Sequence, residues 1–448
     1  MATASDIATF ASDLEYEDLS PAVCDALERQ LLDTLGVAIA AGGDERTLVS
    51  ETVDTLEGGG PCTLWRRSEH ASLTGATMHN AALVRALDYS DAYLAPGETA
   101  HPSDCVAACL ATAECTARSG EALLAALAIA YEVQGALAWS APIRDRGFDH
   151  VTHTVVAATA ACAKLLGLER AAIRHALAIA ISSHNALRVT RTGAVTEWNT
   201  LAAANATRAA VYAAVLASNG VSGPADVVDG QYGWKAVVTG PFDLEFTPGE
   251  RVFDVTTRRY VAEANAQSAV EGIVELATAE AIDPATVTQI RLETFAGARR
   301  TLGGGEGARY DVETRAQAVH SLPYVLAAAL IDRDLSLPGY SDARIHADDV
   351  QALLECVTVT EDPTLTARFE AGALPAVIDV TVEDGTTYRV EKTAARGHPS
   401  DPLEWADVER KFDAITGDRL ERARRNDLVE TVRSLESHQT SDLCSLLA

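Results

Sequence analysis

The chain has 448 residues, a formal net charge of −28 and only 5% aromatic residues. That length exceeds what one hydrophobic core usually organises, so two domains are expected, and abundant alanine with few aromatics favours closely packed helices over a β-sandwich. A surface this acidic argues against nucleic acid as a partner, because phosphate binding needs a basic face.

Leu19-Ser20-Pro21 predicts a helix start, with serine as N-cap and proline at the first position. Val23, Leu27, Leu31, Leu35 and Ile39 give that helix one apolar face, and Gly42-Gly43 ends it. Asn80 to Asp104 then opens as a helix, breaks at Asp88, passes Pro96-Gly97 and closes on His101-Pro102-Ser103. Ser103 is placed to cap a helix over 104–118. A carboxylate and an imidazole thus bracket one loop between two apolar helices, an arrangement suited to acid–base chemistry. The plainer alternative is a polar turn with Asp88 as a helix stop. Helical patterns continue at 72–87, 104–118, 121–138, 154–167 and 170–187, and from Thr200 to Ser218, stopping at Asn219-Gly220. Several are apolar nearly all round, as in the centre of a large bundle.

The texture changes near residue 250. Thr288 to Phe295 alternates, a similar short run holds Val357 and Val359, and two alternating runs flank Asp384-Gly385, a strong hairpin signal. With helical stretches at 263–279 and 315–332, residues 255–395 read as a smaller α+β domain. The tail, 402–446, is again helical.

Among the 36 basic residues only Lys164, Lys235, Lys392 and Lys411 are lysines. Acid excess with scarce lysine points to a salt-rich, halophilic cytoplasm: at ~1 M salt the Debye length is about 3 Å, so surface charges barely repel. An ordinary acidic enzyme from a low-salt cell is the alternative. No apolar run approaches the ~20 residues needed to cross a bilayer, so no membrane association is expected. The N-terminal MATASDIATFASDLEYEDLS carries acids and no basic segment, unlike a secretory signal. Eight cysteines without a C-x-x-C pair read as reduced thiols and predict a cytoplasmic location.

Three further segments carry chemistry. Phe148 to His153 (FDHVTH) supplies Asp149, His150 and His153 before a helix. Ser182-Ser183-His184-Asn185 is followed by Arg188, Arg191 and Trp198, and His320-Ser321-Leu322-Pro323-Tyr324 opens an apolar helix. His150 and His153 could share a helix face with Asp149 adjacent, but H-x-x-x-H with a glutamate base is absent, so no metal site is assigned. Cys105 and Cys109 read as small packing residues rather than cluster ligands. Gly303-Gly304-Gly305 lacks the strand-to-helix nucleotide fingerprint, and no G-x-S-x-G elbow occurs. Arg188, Arg191 and Arg315 invite a reading as carboxylate clamps, although ion pairs with the many acids are the more usual role of any single arginine.

Taken in order, these segments resemble the MmgE/PrpD family, which includes 2-methylcitrate dehydratase, cis-aconitate decarboxylase and iminodisuccinate epimerase. The matching pieces include LLDTLGVAIA at 31–40, VRALDYSDAYL…HPSD at 84–104, GFDHVTH at 147–153, LRVTRTGAVTEW at 187–198, AEANAQSAVE at 262–271, HSLPYVLAAAL at 320–330 and GHP at 397–399. The resemblance implies a mainly α fold: a discontinuous all-helical domain, 1–254 with 400–448, and a smaller α+β lid domain, 255–399. It further implies a homodimer, no metal or organic cofactor, an active site in the cleft between domains, and a place in propionate metabolism. It implies a hydro-lyase that dehydrates a 2-methylcitrate-like polycarboxylate, with epimerisation or decarboxylation of a smaller acid as the alternative. Asp88, His101, His150 (or His153) and Tyr324 match the family's active-site positions, and Arg188, Arg191, Asn199, His153 and Ser321 are the expected substrate contacts. The mechanism implied is proton abstraction beside a carboxylate, with an acid assisting departure of hydroxide. Three positions depart from the pattern: Asn199 where lysine is common, Asn265 where histidine is usual, and Ala92 in place of a small hydroxyl residue.

Overall fold

Ser20 caps the first long helix, Pro21–Ala40, its hydroxyl accepting the Val23 amide at 3.3 Å. Val23, Leu27, Leu31, Leu35 and Ile39 are all buried, as residues four apart on one helix face should be. The structure is a computed structural model and describes residues 4–42, 44–192, 196–304 and 309–448. Gly43, Gly305 and positions 193–195 of the Leu187–Trp198 segment lie outside those residues.

The protein is mainly helical, with small sheets. It divides into two compact units, one built from Met1–Arg191, Thr196–Val255 and Glu404–Ala448, the other around Thr256–Leu403. In the first unit, helix Val151–Leu165 packs on Gly120–Ser140, Arg170–Ser183 and Trp198–Ser218, while Leu73–Ala86 packs on Trp198–Ser218 and Val106–Cys115. Ala157, Ala158, Ala160, Ala161 and Ala163 are fully buried in the central helix, so small side chains let the backbones approach. Buried threonines are accommodated because their hydroxyls bond back to their own helices: Thr112 to the Ala108 carbonyl at 2.7 Å and Thr159 to that of Val155 at 2.6 Å.

Helix Gly120–Ser140 corrects one expectation. Its 21 residues are long and apolar enough to cross a bilayer, and every residue from Leu123 to Ala138 is buried inside the protein. Tyr131, Glu132 and Gln134 interrupt the apolar letters, which hides the span from a reading that looks for an unbroken run.

The second unit carries a mixed four-stranded sheet in the order Val357–Glu361, Val287–Thr294, Ala376–Val382, Thr387–Lys392. The first pair is parallel, aligning Ile290 with Val357; the others are antiparallel, aligning Leu292 with Ile378 and Val380 with Tyr388. A register shift between Val287 and Gln289 puts Thr288 and Gln289 both outward and restores alternation from Ile290. Gly385 sits at φ +85° in the Asp384-Gly385 turn, the left-handed conformation that makes this dipeptide a hairpin former. Helix Gln267–Ala279 covers the last two strands, and Leu322–Asp332 packs on that helix. The predicted helical run over 315–332 is broken at His320-Ser321, where the Ser321 hydroxyl caps the second piece.

The C-terminal segment closes on the helical unit. Helix Trp405–Thr416 packs along Pro21–Ala40, and Gly120 donates its amide to the His438 carbonyl at 2.8 Å. A Cβ on Gly120 would lie 1.7 Å from the Leu435 carbonyl oxygen. Gly120→Ala should therefore destabilise the protein by about 2–3 kcal/mol by forcing the tail off the helix. Denaturant unfolding should show the loss, and limited proteolysis should cut first beyond Thr416.

Candidate active site

The site grows from the end of helix Leu73–Ala86. Asp88 stands just past it at φ +47°, a left-handed conformation that costs a non-glycine residue about 1 kcal/mol. Its carboxylate meets the Arg85 guanidinium at 3.1 Å, and its amide donates to the Arg85 carbonyl at 3.1 Å. The chain continues through the short hairpin Ala92–Ala95 and Glu98–Ala100, which returns it to His101. Glu98 is buried and anchors this hairpin, accepting the Ile143 and Arg144 amides at 3.2 and 3.0 Å.

His101 is oriented by a backbone bond. Its Nδ1 lies 2.7 Å from the Asp91 carbonyl oxygen. A carbonyl only accepts, so Nδ1 carries the proton, and in the neutral ring Nε2 keeps the lone pair. Asp91 is itself locked: its fully buried carboxylate accepts the Ser103 hydroxyl at 2.5 Å, the Ser103 amide at 3.2 Å and the Tyr131 hydroxyl at 2.8 Å. Burial pushes its pKa up to about 6, against the pull of the Ser103 and Tyr131 hydroxyls. The expected Ser103 cap is therefore not formed. Residues Pro102–Cys105 make a 3-10 turn, the helix begins at Val106, and the hydroxyl goes to the buried carboxylate instead.

His150 stands edge-on to His101, ring centroids 5.1 Å apart at 71°. Its Nδ1 is 3.2 Å from Asp149 Oδ1 and its Nε2 is 3.8 Å from Asp104 Oδ2. Asp104 is fully buried, and its other oxygen lies 3.5 Å from Arg85 Nε. Burial alone would raise the Asp149 pKa, but the Arg191 guanidinium at 2.7 Å and the neighbouring His150 hold it well below the usual range. Asp88, Arg85, Asp104, His150, Asp149 and Arg191 thus form one chain of contacts, with the His101 ring against His150.

The segments that carry these groups are zipped together by backbone. Asp149 donates its amide to the Ala186 carbonyl at 2.9 Å, Arg188 donates to that of Gly147 at 2.9 Å, and Ala186 donates to the Thr152 hydroxyl at 3.0 Å. Arg191 also donates to the Asn199 side chain and carbonyl, each at 2.5 Å, so these two expected substrate contacts hold each other. Ser182 and Ser183 bond back to their own helix, and Asn185 accepts the Trp234 indole at 2.9 Å. His153 points elsewhere: it is fully buried and meets the Trp234 ring edge-on at 6.1 Å. Burial lowers its pKa to about 4, so it is neutral near pH 7. Ala92 is buried in the hairpin.

In the second unit Tyr324 is buried beside Tyr340, and its hydroxyl donates to the Gly339 carbonyl. Burial raises its pKa to about 12. Ser321 accepts the Tyr324 amide at 3.1 Å and donates to the Arg309 carbonyl. Asn265 donates its side-chain amide to Glu263 at 3.1 Å, and Arg315 opens the short helix Arg315–Val319. Arg85, Asp91, Asp104 and Tyr131 were not singled out by sequence reasoning. A signal existed: an arginine in the apolar run before Asp88, and Tyr131 within the apolar Gly120–Ser140 helix.

His153 makes the stability of the fold depend on pH. Its folded pKa lies below the ordinary value of 6.5, so its neutral form stabilises the fold above that pH. That stability is lost as pH falls from 6.5 towards 4, by about 1.4 kcal/mol per unit at its steepest and about 3 kcal/mol in all. His153→Phe should remove this component. The difference in denaturant-unfolding free energy between variant and wild type should shift in favour of the variant by that amount between pH 7 and pH 4.

Comparison with known proteins identifies the family of the chain. Residues 5–247 match the MmgE/PrpD N-terminal domain and residues 260–437 the MmgE/PrpD C-terminal domain. The chain is 31% identical to the 2-methylcitrate dehydratase of Cupriavidus necator over 337 residues, 69% of this chain and 68% of that one. It is 29% identical to that of Escherichia coli K12 over 344 residues, 70% and 68% of the two chains. It is 27% identical to human cis-aconitate decarboxylase over 466 aligned positions, 98% of this chain and 92% of that one. With both domain matches in chain order, the protein belongs to the MmgE/PrpD family.

Proposed function

We propose that the protein is a lyase that dehydrates a 2-methylcitrate-like polycarboxylate by proton transfer between side chains. The observation that carries the proposal is the His101 Nδ1 bond to the Asp91 carbonyl, which leaves Nε2 as the accepting atom of the neutral ring. In this reading His101 Nε2 removes the proton beside a substrate carboxylate. The electron pair forms the double bond, and hydroxide leaves with a proton from His150. His150 is placed for this between Asp149, which Arg191 holds, and Asp104, its Nδ1 3.2 Å from the one carboxylate and its Nε2 3.8 Å from the other. Arg85 links Asp88 to Asp104, the carboxylate beside His150 Nε2. Tyr324, Ser321 and a homodimeric assembly with the second unit as a lid come into the proposal from the family pattern. Arg188 is proposed to meet a substrate carboxylate. Arg191 and Asn199 act on His150 through Asp149 and on the substrate only if their mutual bond opens. The tightness of that bond matters because Asn199 stands where a lysine charge is common in the family.

Purified protein should convert 2-methylcitrate to an unsaturated product followed by its absorbance, with citrate and cis-aconitate as competitors. His101→Ala should lower kcat by at least about 10²-fold, as loss of a general base does, while a His346→Ala variant at an exposed position keeps it. Absence of turnover on all three acids rejects the substrate class. The near full-length match to human cis-aconitate decarboxylase favours a second reading, decarboxylation or epimerisation of a smaller acid. Carbon dioxide release, or solvent deuterium at the α-carbon without loss of water, identifies it. An inert wild type that gains activity on Asn199→Lys with Asn265→His is instead a non-catalytic relative.

The assay should run in molar salt. With a net charge of −28, self-repulsion opposes the compact state unless it is screened. The unfolding midpoint should therefore rise steeply between 0.1 and ~2 M KCl, where the Debye length falls from about 10 Å to a few ångströms. A flat dependence rejects the halophilic reading.

A further inference from the structure

Lys411 is one of four lysines in the chain and lies on the C-terminal helix Trp405–Thr416. Its ammonium meets three groups: the buried Asp33 carboxylate at 2.7 Å, the Tyr89 carbonyl at 3.1 Å, and the Tyr89 ring, whose centroid is 3.8 Å away. Tyr89 directly follows Asp88. The helix that delivers Lys411 is seated tightly. A Cβ on Gly36 would lie 2.8 Å from the Phe412 ring, and Trp405 donates its indole to Asp25 at 2.6 Å. The position of Nζ is therefore set by packing on both sides of it.

We propose that Lys411 is a positioning residue for Asp88. The left-handed backbone at Asp88 is unfavourable for an aspartate and persists only if its neighbours hold it. On the N-terminal side its amide is bound by the Arg85 carbonyl. On the C-terminal side Lys411 donates to the Tyr89 carbonyl and lies over the Tyr89 ring. Asp33 keeps the ammonium in place, so a chain segment more than 300 residues away in sequence closes the turn that presents the Asp88 carboxylate. The task needs a compact cation with three donors. A guanidinium is larger than an ammonium and donates only within its plane, so on a helix seated this tightly arginine should not keep all three contacts in the same geometry, despite its abundance in the chain.

This inference rests on Asp88 belonging to the proposed site, and the experiment separates the two. Lys411→Met and Lys411→Arg are compared with the double variant Asp33→Asn/Lys411→Met, which leaves no buried charge unpaired if the single variants fold poorly. Lys164→Met, on another face, is the control. Hydrogen exchange of the full chain should rise at least about tenfold over residues 87–95 in all three Lys411 variants, with Pro21–Ala40 unchanged. On a substrate the wild type turns over, kcat should fall by about 10²-fold with KM within about threefold, as misplacement of a reacting group does. Unchanged exchange over 87–95, exchange that rises equally along Pro21–Ala40, or full activity in Lys411→Arg overturns the proposal. A wild type with no turnover rejects the lyase reading and leaves exchange to decide the role of Lys411.

Discussion

The buried carboxylate of Asp91 is the constraint on which the candidate site depends. Removing an ionisable group from water is costly, and Asp91 is tolerated because three donors converge on it: the Ser103 hydroxyl, the Ser103 amide and the Tyr131 hydroxyl. That convergence ties the two ends of the loop together and to a core helix. It also fixes the Asp91 backbone, whose carbonyl then dictates which nitrogen of His101 bears the proton. A side chain that touches none of the proposed chemistry thus sets the protonation pattern of one that does, as orienting partners commonly do.

Around this lock lies a dense set of buried charges. Arg85 is shared between Asp88 and Asp104, His150 between Asp104 and Asp149, and Asp149 is held by Arg191. Arg85 compensates the desolvation of Asp88 and Asp104, and Arg191 that of Asp149, so removal of either arginine leaves a buried charge behind. The arrangement is a poor device for stability and a good one for placing two imidazoles in unlike surroundings. His101 faces a neutral backbone carbonyl, whereas His150 lies between carboxylates. Unlike surroundings are what an acid and a base of the same residue type require.

Much of the fold was legible from local pattern. The i, i+4 apolar face of Pro21–Ala40, the Ser20 cap and the Asp384-Gly385 hairpin depend on short-range geometry, and each is found where its residues predict. The loop holding Asp88 and His101 was visible because a helix break and a proline turn enclose it. Tyr131 was not, since its contact with Asp91 spans 40 residues. The Ser103 cap was misread because a hydroxyl near a helix start can either accept from a backbone amide or donate to another acceptor, and only the buried Asp91 carboxylate beside it decides for donation. Segment Ser182–Asn185 stood out by residue type, yet its hydroxyls and amide bond to their own helix and to Trp234.

The sequence by itself therefore determined the helical character, the family and the segments that carry ionisable groups, because those properties lie in spacing and residue order. Tertiary structure alone decided the partners. Of the two histidines in FDHVTH, His150 joins His101 and His153 turns to Trp234. Arg191 and Asn199 spend their bonds on each other and on Asp149. The physical reason is that burial and hydrogen-bond partnership are set by contacts between distant segments, and no local pattern records which of several polar residues will face inward.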